Sequence, residues 1–399
     1  MASYKYSVYN SAKRNNNRHG SSGRSGGRRG EYINPERFVA VAKPTQAVDY
    51  TPLHQFGDFP LDQRLQANLA AKGFVTPSPI QDQTIPLGLE GRDVIGLANT
   101  GTGKTAAFAI PVIQALVTRQ NARALMVAPT RELAEQIEVE CRSIGKSGGF
   151  SGAVLIGGTG MGGQLRDLRA NPRLVIGTPG RIKDHMERGS LKLDNFNLVV
   201  LDEVDRMLDM GFLPDVSYIL KALAPVRQSF FFSATMESRV EGLIRTFSNN
   251  PETVSVKSAG SSSDHVNQDV VRYAGLTDKI DKLHDILLKE EVSKAIVFDE
   301  TQRSVERLSN ELVARGFAAD SIHGGKSQGQ RKRALDSFKH NKTKVLVATD
   351  VAARGIDVVD ITHVINYSQP MSYQDYVHRI GRAGRAGRVG HALTFVTRV

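Results

Sequence analysis

"DVIGLANTGTGKTAAFAIPVIQALVTR", residues 93–119, runs from a short apolar segment through a glycine-punctuated loop into a long apolar stretch. The first piece has the length and bounds of a buried strand, and the last is long enough for a helix. In that setting a Gly-rich loop cradles phosphate. Gly101 and Gly103 let backbone N–H groups turn toward phosphate oxygens, Lys104 reaches the β and γ phosphates, and Thr105 offers its hydroxyl to magnesium. Asn99, Thr100 and Thr102 complete the loop, and Ala98 stands where the general phosphate-loop pattern has Gly.

A second stretch takes its meaning from the first. "LVVLDEVD", residues 198–205, places Asp202, Glu203 and Asp205 directly after an apolar run. Alone, these carboxylates fit the first turn of a surface helix, where they oppose the positive end of its dipole. Beside a phosphate loop they become a nucleotide site. Asp202 at the strand end is expected to hold magnesium, and Glu203 to orient and deprotonate the attacking water.

Further apolar runs alternate with amphipathic stretches, as in parallel strands covered by helices on both faces. The first series comprises residues 93–98, 124–129, 153–157, 173–177, 198–202 and 229–234. A second has strands at 295–298, 344–349 and 363–367, with helices around 302–315, 328–339 and 372–379. The expectation is an α/β chain of two tandem doubly wound parallel-sheet domains, residues 50–258 and 269–399, joined by a small, polar linker at 259–268. A length of 399 residues suits two cores.

The formal charge is +11, and residues 1–30 carry Lys5, Lys13, Arg14, Arg18, Arg24, Arg28 and Arg29 without one acid. Rich in Asn, Gly and Ser, residues 1–49 are expected to be a disordered basic tail. Its cations and Tyr4, Tyr6 and Tyr9 suit an arm that follows nucleic-acid phosphates and stacks on bases, as against a solubilising segment. A lone cysteine, Cys141, excludes an internal disulfide framework, and no Cys/His spacing suggests zinc. Without a signal-like or membrane-length apolar run, the expected location is cytoplasmic.

From about Phe56 onward the chain resembles the DEAD-box RNA helicases, especially bacterial members. The resemblance rests on an ordered series: "GFVTPSPIQ" (73–81), the phosphate loop, "PTRELA" (129–134), "GG" (157–158), "TPGR" (178–181), "DEVD", "SAT" (233–235), "VFDET" (297–301), "HGGKSQGQR" (323–331), "ATDVAARGID" (348–357) and "HRIGRAGR" (378–385). It implies RecA-like domains and ATP with Mg2+. Phe56, Phe74 and Gln81 would recognise adenine, and Gly355 and Asp357 would face the nucleotide. Arg382 and Arg385 would reach the γ-phosphate from the second domain. Asp205, Ser233, Thr235 and His378 would couple hydrolysis to strand separation. RNA contacts carry over to Thr130, Arg131, Gly157, Gly158, Thr178, Arg181, Thr301, Gly324, Arg331 and Thr349, all suited to phosphate rather than bases. The implied activity is ATP-driven local unwinding or remodelling of RNA duplexes and RNA–protein complexes. Val204, Asn99 and Ala383 depart from the family's usual Ala, Gln and Thr, and the chain ends at "TFVTRV" with no partner-binding extension expected. An RNA clamp with negligible turnover and a DNA helicase on the same core are the rival readings.

Overall fold

Each apolar run becomes a strand, and the strands within each sheet pair in parallel, as continuous Val/Ile/Leu runs demand when helices cover both faces. A computed structural model describes residues 32–42, 50–99, 101–146, 148–256, 265–353, 356, 358, 360–384 and 388–398. The first sheet contains β1 (Val94–Leu97), β2 (Ala124–Val127), β3 (Gly152–Leu155), β4 (Leu174–Gly177), β5 (Leu198–Leu201), β6 (Gln228–Ser233) and β7 (Glu252–Ser255), in the order β3-β4-β2-β5-β6-β1-β7. The second contains β8 (Val266–Tyr273), β9 (Ala295–Phe298), β10 (Ala319–Ile322), β11 (Val345–Ala348), β12 (His363–Asn366) and β13 (Gly390–Thr397), in the order β10-β11-β9-β12-β13-β8.

Register decides where the chemistry falls. Leu97 of β1 pairs with Ser233 of β6, and Leu201 of β5 pairs with Phe231 of the same strand. The loops after β1, β5 and β6 therefore leave one edge of the sheet side by side, at the carboxyl ends where open α/β sheets bind ligands. Buried clusters lie on both faces, one around Ile110, Val112 and Phe230 and the other around Val199, Val204 and Phe231. Among the described residues no helix is long and apolar enough to cross a membrane.

Two boundaries differ from the sequence expectation. Strand β8 begins at Val266, inside the segment expected to be linker, because Val266 is fully buried against the second domain. Nor does the tail run unbroken to residue 49. Residues 32–42 lie on the second domain, with a short 3-10 turn at Pro35–Phe38 and with Ile33 and Phe38 buried in that domain's core. Two apolar residues in a polar stretch suffice once a preformed hydrophobic seat exists elsewhere. Residues 1–31 and 257–264 lie outside the described residues.

Candidate active site and RNA groove

The loop after β1 is shaped by glycine. Gly101 and Gly103 hold φ of 86° and 92°, and Gly103 caps the helix Lys104–Thr118. A Cβ on Gly103 would also lie 2.4 Å from Gln81 Nε2, so a side chain there would displace the glutamine amide as well as strain the backbone. Lys104 is buried, and its Nζ stands 4.0 Å from Asp202 Oδ1, beyond hydrogen-bond length. A buried ammonium at a helix N-terminus suits an anionic ligand such as phosphate. Thr105 follows on the same helix, and the Thr102 hydroxyl donates to Asn99 O at 2.8 Å. Thr100 lies outside the described residues.

Gln81 is tied to this loop. Its Nε2 donates to Gly103 O at 3.1 Å, and its Oε1 accepts from Ser78 N at 2.9 Å. One N–H and one lone pair of the amide are left by these bonds, enough to read an adenine edge. Phe56 is buried, and its ring meets Phe74 edge-on at 4.9 Å. Phe56 thus backs half-buried Phe74, and the two rings stand together beside the motif that carries Gln81.

The three carboxylates of "DEVD" divide their work. Asp202 is pushed up to about 6, chiefly by burial, with Lys104 pulling it down and Glu203 pushing it further up. Glu203 has φ of 54°, and its Oε2 accepts from Arg206 at 2.5 Å. Burial would raise its carboxyl, but Arg206, Lys104 and Arg382 together hold it below the usual glutamate value. Asp205 turns the other way. Its Oδ2 accepts from Ala234 N at 3.0 Å and Thr235 N at 3.1 Å, and Ser233 Oγ donates to Thr235 O at 2.7 Å. The third carboxylate thus fixes the "SAT" loop to the "DEVD" segment.

From the second domain, His378 and Arg382 line a cleft of about 250 Å³ together with Lys104, Glu203, Arg206 and Thr235. Arg382 is buried and donates to Ile356 O at 2.9 Å, while its charge reaches Glu203. Arg379 of the same motif serves structure: it is paired with Asp350 at 2.6 Å and donates to Ser368 O at 2.7 Å. Arg385, Gly355 and Asp357 lie outside the described residues.

A second groove, about 410 Å³, brings together Thr130, Arg131, Gly157, Thr178, Arg181, Gly324 and Arg331 from both domains. Arg181 Nη1 and Arg331 Nε are buried donors without a hydrogen-bond partner, the condition a phosphate would relieve. Gly158 has φ of 75°, and a Cβ there would push the Arg131 guanidinium aside. Thr301 instead caps the helix Gln302–Ala314, accepting from Ser304 N at 3.1 Å, and Thr349 O accepts from Ala353 N at 2.9 Å. Neither lines the groove. Across it, Arg331 Nη2 stands 2.7 Å from Glu132 Oε1. Both glutamate oxygens lack an aligned donor, so this is a close charge contact rather than a directed hydrogen bond.

The DEAD/DEAH box helicase profile matches residues 78–243, and the helicase conserved C-terminal domain matches 278–387. ATP-dependent RNA helicase CshA of Listeria monocytogenes is 44% identical over 86% of this chain and 66% of its own length. DEAD-box ATP-dependent RNA helicase CshA of Bacillus subtilis is likewise 44% identical, over 86% and 69%. The chain belongs to the DEAD-box family of ATP-dependent RNA helicases. It spans about two-thirds of the length of these relatives. Among solved structures, S. cerevisiae Dbp5 bound to RNA and ADP–BeF3 is similar with a TM-score of 0.75 and 29% identity, covering 86% of this chain and 90% of that one.

Of the three departures from the DEAD-box pattern, Val204 and Ala383 fall on packing, while Asn99 lines the cleft. Val204 is fully buried beside Met207 and Phe231, and Ala383 is buried in the second core. Among the described residues no group of three or more His, Cys, Asp or Glu is arranged to hold a metal. Sequence reasoning missed Arg206 and Glu132. Arg206 directly follows "DEVD" and Glu132 lies inside "PTRELA", but each reads as an ordinary helix charge until its partner is seen.

Proposed function

We propose that this chain couples ATP binding and hydrolysis to local separation or remodelling of short RNA duplexes, acting in the cytoplasm. The carrying observation is the cleft lined by Lys104 and Glu203 of one domain and by His378 and Arg382 of the other. Bound magnesium, held by Asp202 and Thr105, would neutralise charge on the β and γ phosphates. Lys104 binds phosphate, and Gln81 and Phe74 select adenine. Ionised Glu203, pinned by Arg206, orients the attacking water and accepts its proton. Arg382, joined by Arg385, stabilises charge on the transferring phosphoryl group, an effect worth about 10³ to 10⁵ in rate in comparable systems. Hydrolysis therefore requires the domains to be together.

RNA lies in the second groove, its phosphates met by Arg131, Arg181 and Arg331 and by backbone near Gly157 and Gly324. Contacts of this kind read no base sequence. The basic tail meets further phosphates, and removing residues 1–30 would flatten the plot of log K against log salt by about 0.7 for each phosphate the tail neutralises.

Steady-state ATPase measured with no nucleic acid, with RNA and with DNA of matched sequence tests the reading. RNA should stimulate turnover, and DNA should do so far less. Negligible turnover with every RNA would make the chain an ATP-dependent clamp, and equal stimulation by DNA would make it a general helicase.

A further inference from the structure

We infer that residues 32–42 and 50–58, seated on opposite domains, tie the two domains together a second time like a strap and limit how far the cleft opens. The first anchor is on the second domain. Ala40 and Gln268 exchange both backbone hydrogen bonds, at 3.0 and 2.7 Å, laying the strap antiparallel to edge strand β8. Ala42 N donates to Asn267 Oδ1 at 2.8 Å. Phe38, fully buried, packs on Tyr376 with ring centroids 4.7 Å apart, and Arg37 stands over the Tyr373 ring at 3.8 Å. Gln268 also accepts from the Tyr376 hydroxyl at 2.9 Å, so strap, edge strand and helix are locked together. The helix so gripped is Tyr373–Ile380, which carries His378 and leads into Arg382.

The second anchor is on the first domain. Asp82, buried and directly after Gln81, accepts from the Tyr50 hydroxyl at 2.5 Å and Leu53 N at 2.8 Å, and its other oxygen meets His54 Nδ1 at 2.7 Å. Burial alone would raise this carboxyl, yet the bonds from Tyr50, Leu53 and His54 hold it below the usual aspartate value. The chain then enters the Phe56–Asp58 turn, where Phe56 N donates to Val75 O at 3.0 Å. The two anchors thus grip the helix that leads into Arg382 and the helix that carries Gln81.

Between the anchors only residues 43–49 intervene. An extended chain spans at most about 3.6 Å per residue, so Ala42 and Tyr50 cannot separate by more than about 29 Å whatever path joins them. With the linker after β7, the domains are held by two short chains in parallel, which raises the effective concentration of one cleft wall at the other. Phe38 and Asp82 are positioning residues in this scheme.

The test inserts forty Gly/Ser residues between Lys43 and Pro44, leaving both anchors intact so that folding is not at issue. Inter-domain distances are read by fluorophores on the two domains without nucleotide or RNA, and RNA-stimulated ATPase is read in parallel. The insertion should broaden the distance distribution and raise the RNA concentration for half-maximal turnover by about three- to tenfold, as the effective concentration falls with chain length, with kcat unchanged. As a second variant, Phe38→Asp should release the first anchor and give the same split between RNA requirement and kcat. Unchanged distances and unchanged RNA requirement would overturn the strap. The proposal rests on turnover passing through closure. If distances broaden while the RNA requirement stays fixed, the strap stands and that reading of turnover is the one that fails.

Discussion

Glu132 and Arg331 meet across the groove at 2.7 Å, both buried. At that separation, with an effective dielectric of about 20, the attraction is about 6 kcal/mol. Desolvation of two buried ions takes back several kcal/mol, and the missing hydrogen-bond alignment takes back more. A coupling of about 2 kcal/mol remains, near the low end measured for close interfacial charge pairs. A double-mutant cycle of Glu132→Gln, Arg331→Gln and both together reads it, with RNA affinity in the presence of a non-hydrolysed ATP analogue as the observable. Glu132→Gln should weaken RNA binding by about thirtyfold. Arg331→Gln should cost more, because it also removes a proposed phosphate ligand, and adding Glu132→Gln to it should cost little further. If the single effects add to within about 0.4 kcal/mol, the pair does not form in the RNA-bound arrangement and the groove's two walls are held by something else.

Glu203→Gln should abolish turnover while still forming a long-lived complex with ATP and RNA; retained hydrolysis, read by phosphate release, would remove Glu203 from the role of base. Val204→Ala deletes two methyl groups from a fully buried site and should lower urea stability by about 1 to 3 kcal/mol, leaving ATPase within severalfold. His363 on β12 stacks on His391 at 4.8 Å, and burial, with His391 and Lys289, pulls it down to about 4. An unfolded chain protonates this histidine below about 6.5 while the folded one refuses the proton, so stability should fall as pH drops from 6.5 toward 4. The loss by pH 5 is about 1 to 2 kcal/mol, and His363→Gln should flatten that slope in urea melts at pH 7 and pH 5. Cys141 is fully buried, and burial raises its thiol above the ordinary range, so a soluble disulfide reagent should label it only at the rate at which the first domain opens.

What can be read from the sequence is what chain neighbours decide. The strand, loop and helix of residues 93–119 announce the phosphate site because all its parts are contiguous, and the same holds for the strand that delivers Asp202. Strand β10, "ADSI", is invisible in the sequence because only two of its four residues are buried, and its identity comes from pairing with β11. The strap reads as tail because Ile33 and Phe38 have no local periodicity, and Ala42 finds its partner 225 residues away. Gln81 is assigned to adenine by its motif alone, whereas its bonds to Ser78 and Gly103 exist only when the loop is folded.

Phe38 also makes the second domain discontinuous in the chain. Its seat between Val266 and Tyr376 is synthesised long after it, so at ordinary rates of elongation the ring leaves the ribosome on the order of 20 to 70 s before Tyr376 exists. Throughout that interval the first domain must fold with an unsatisfied apolar segment ahead of it. Only when the helix that carries Tyr376 and strand β13 arrive can this early segment complete the second domain's core, so a ribosome that stalls inside that domain would leave this aromatic free to seek a neighbour's surface instead.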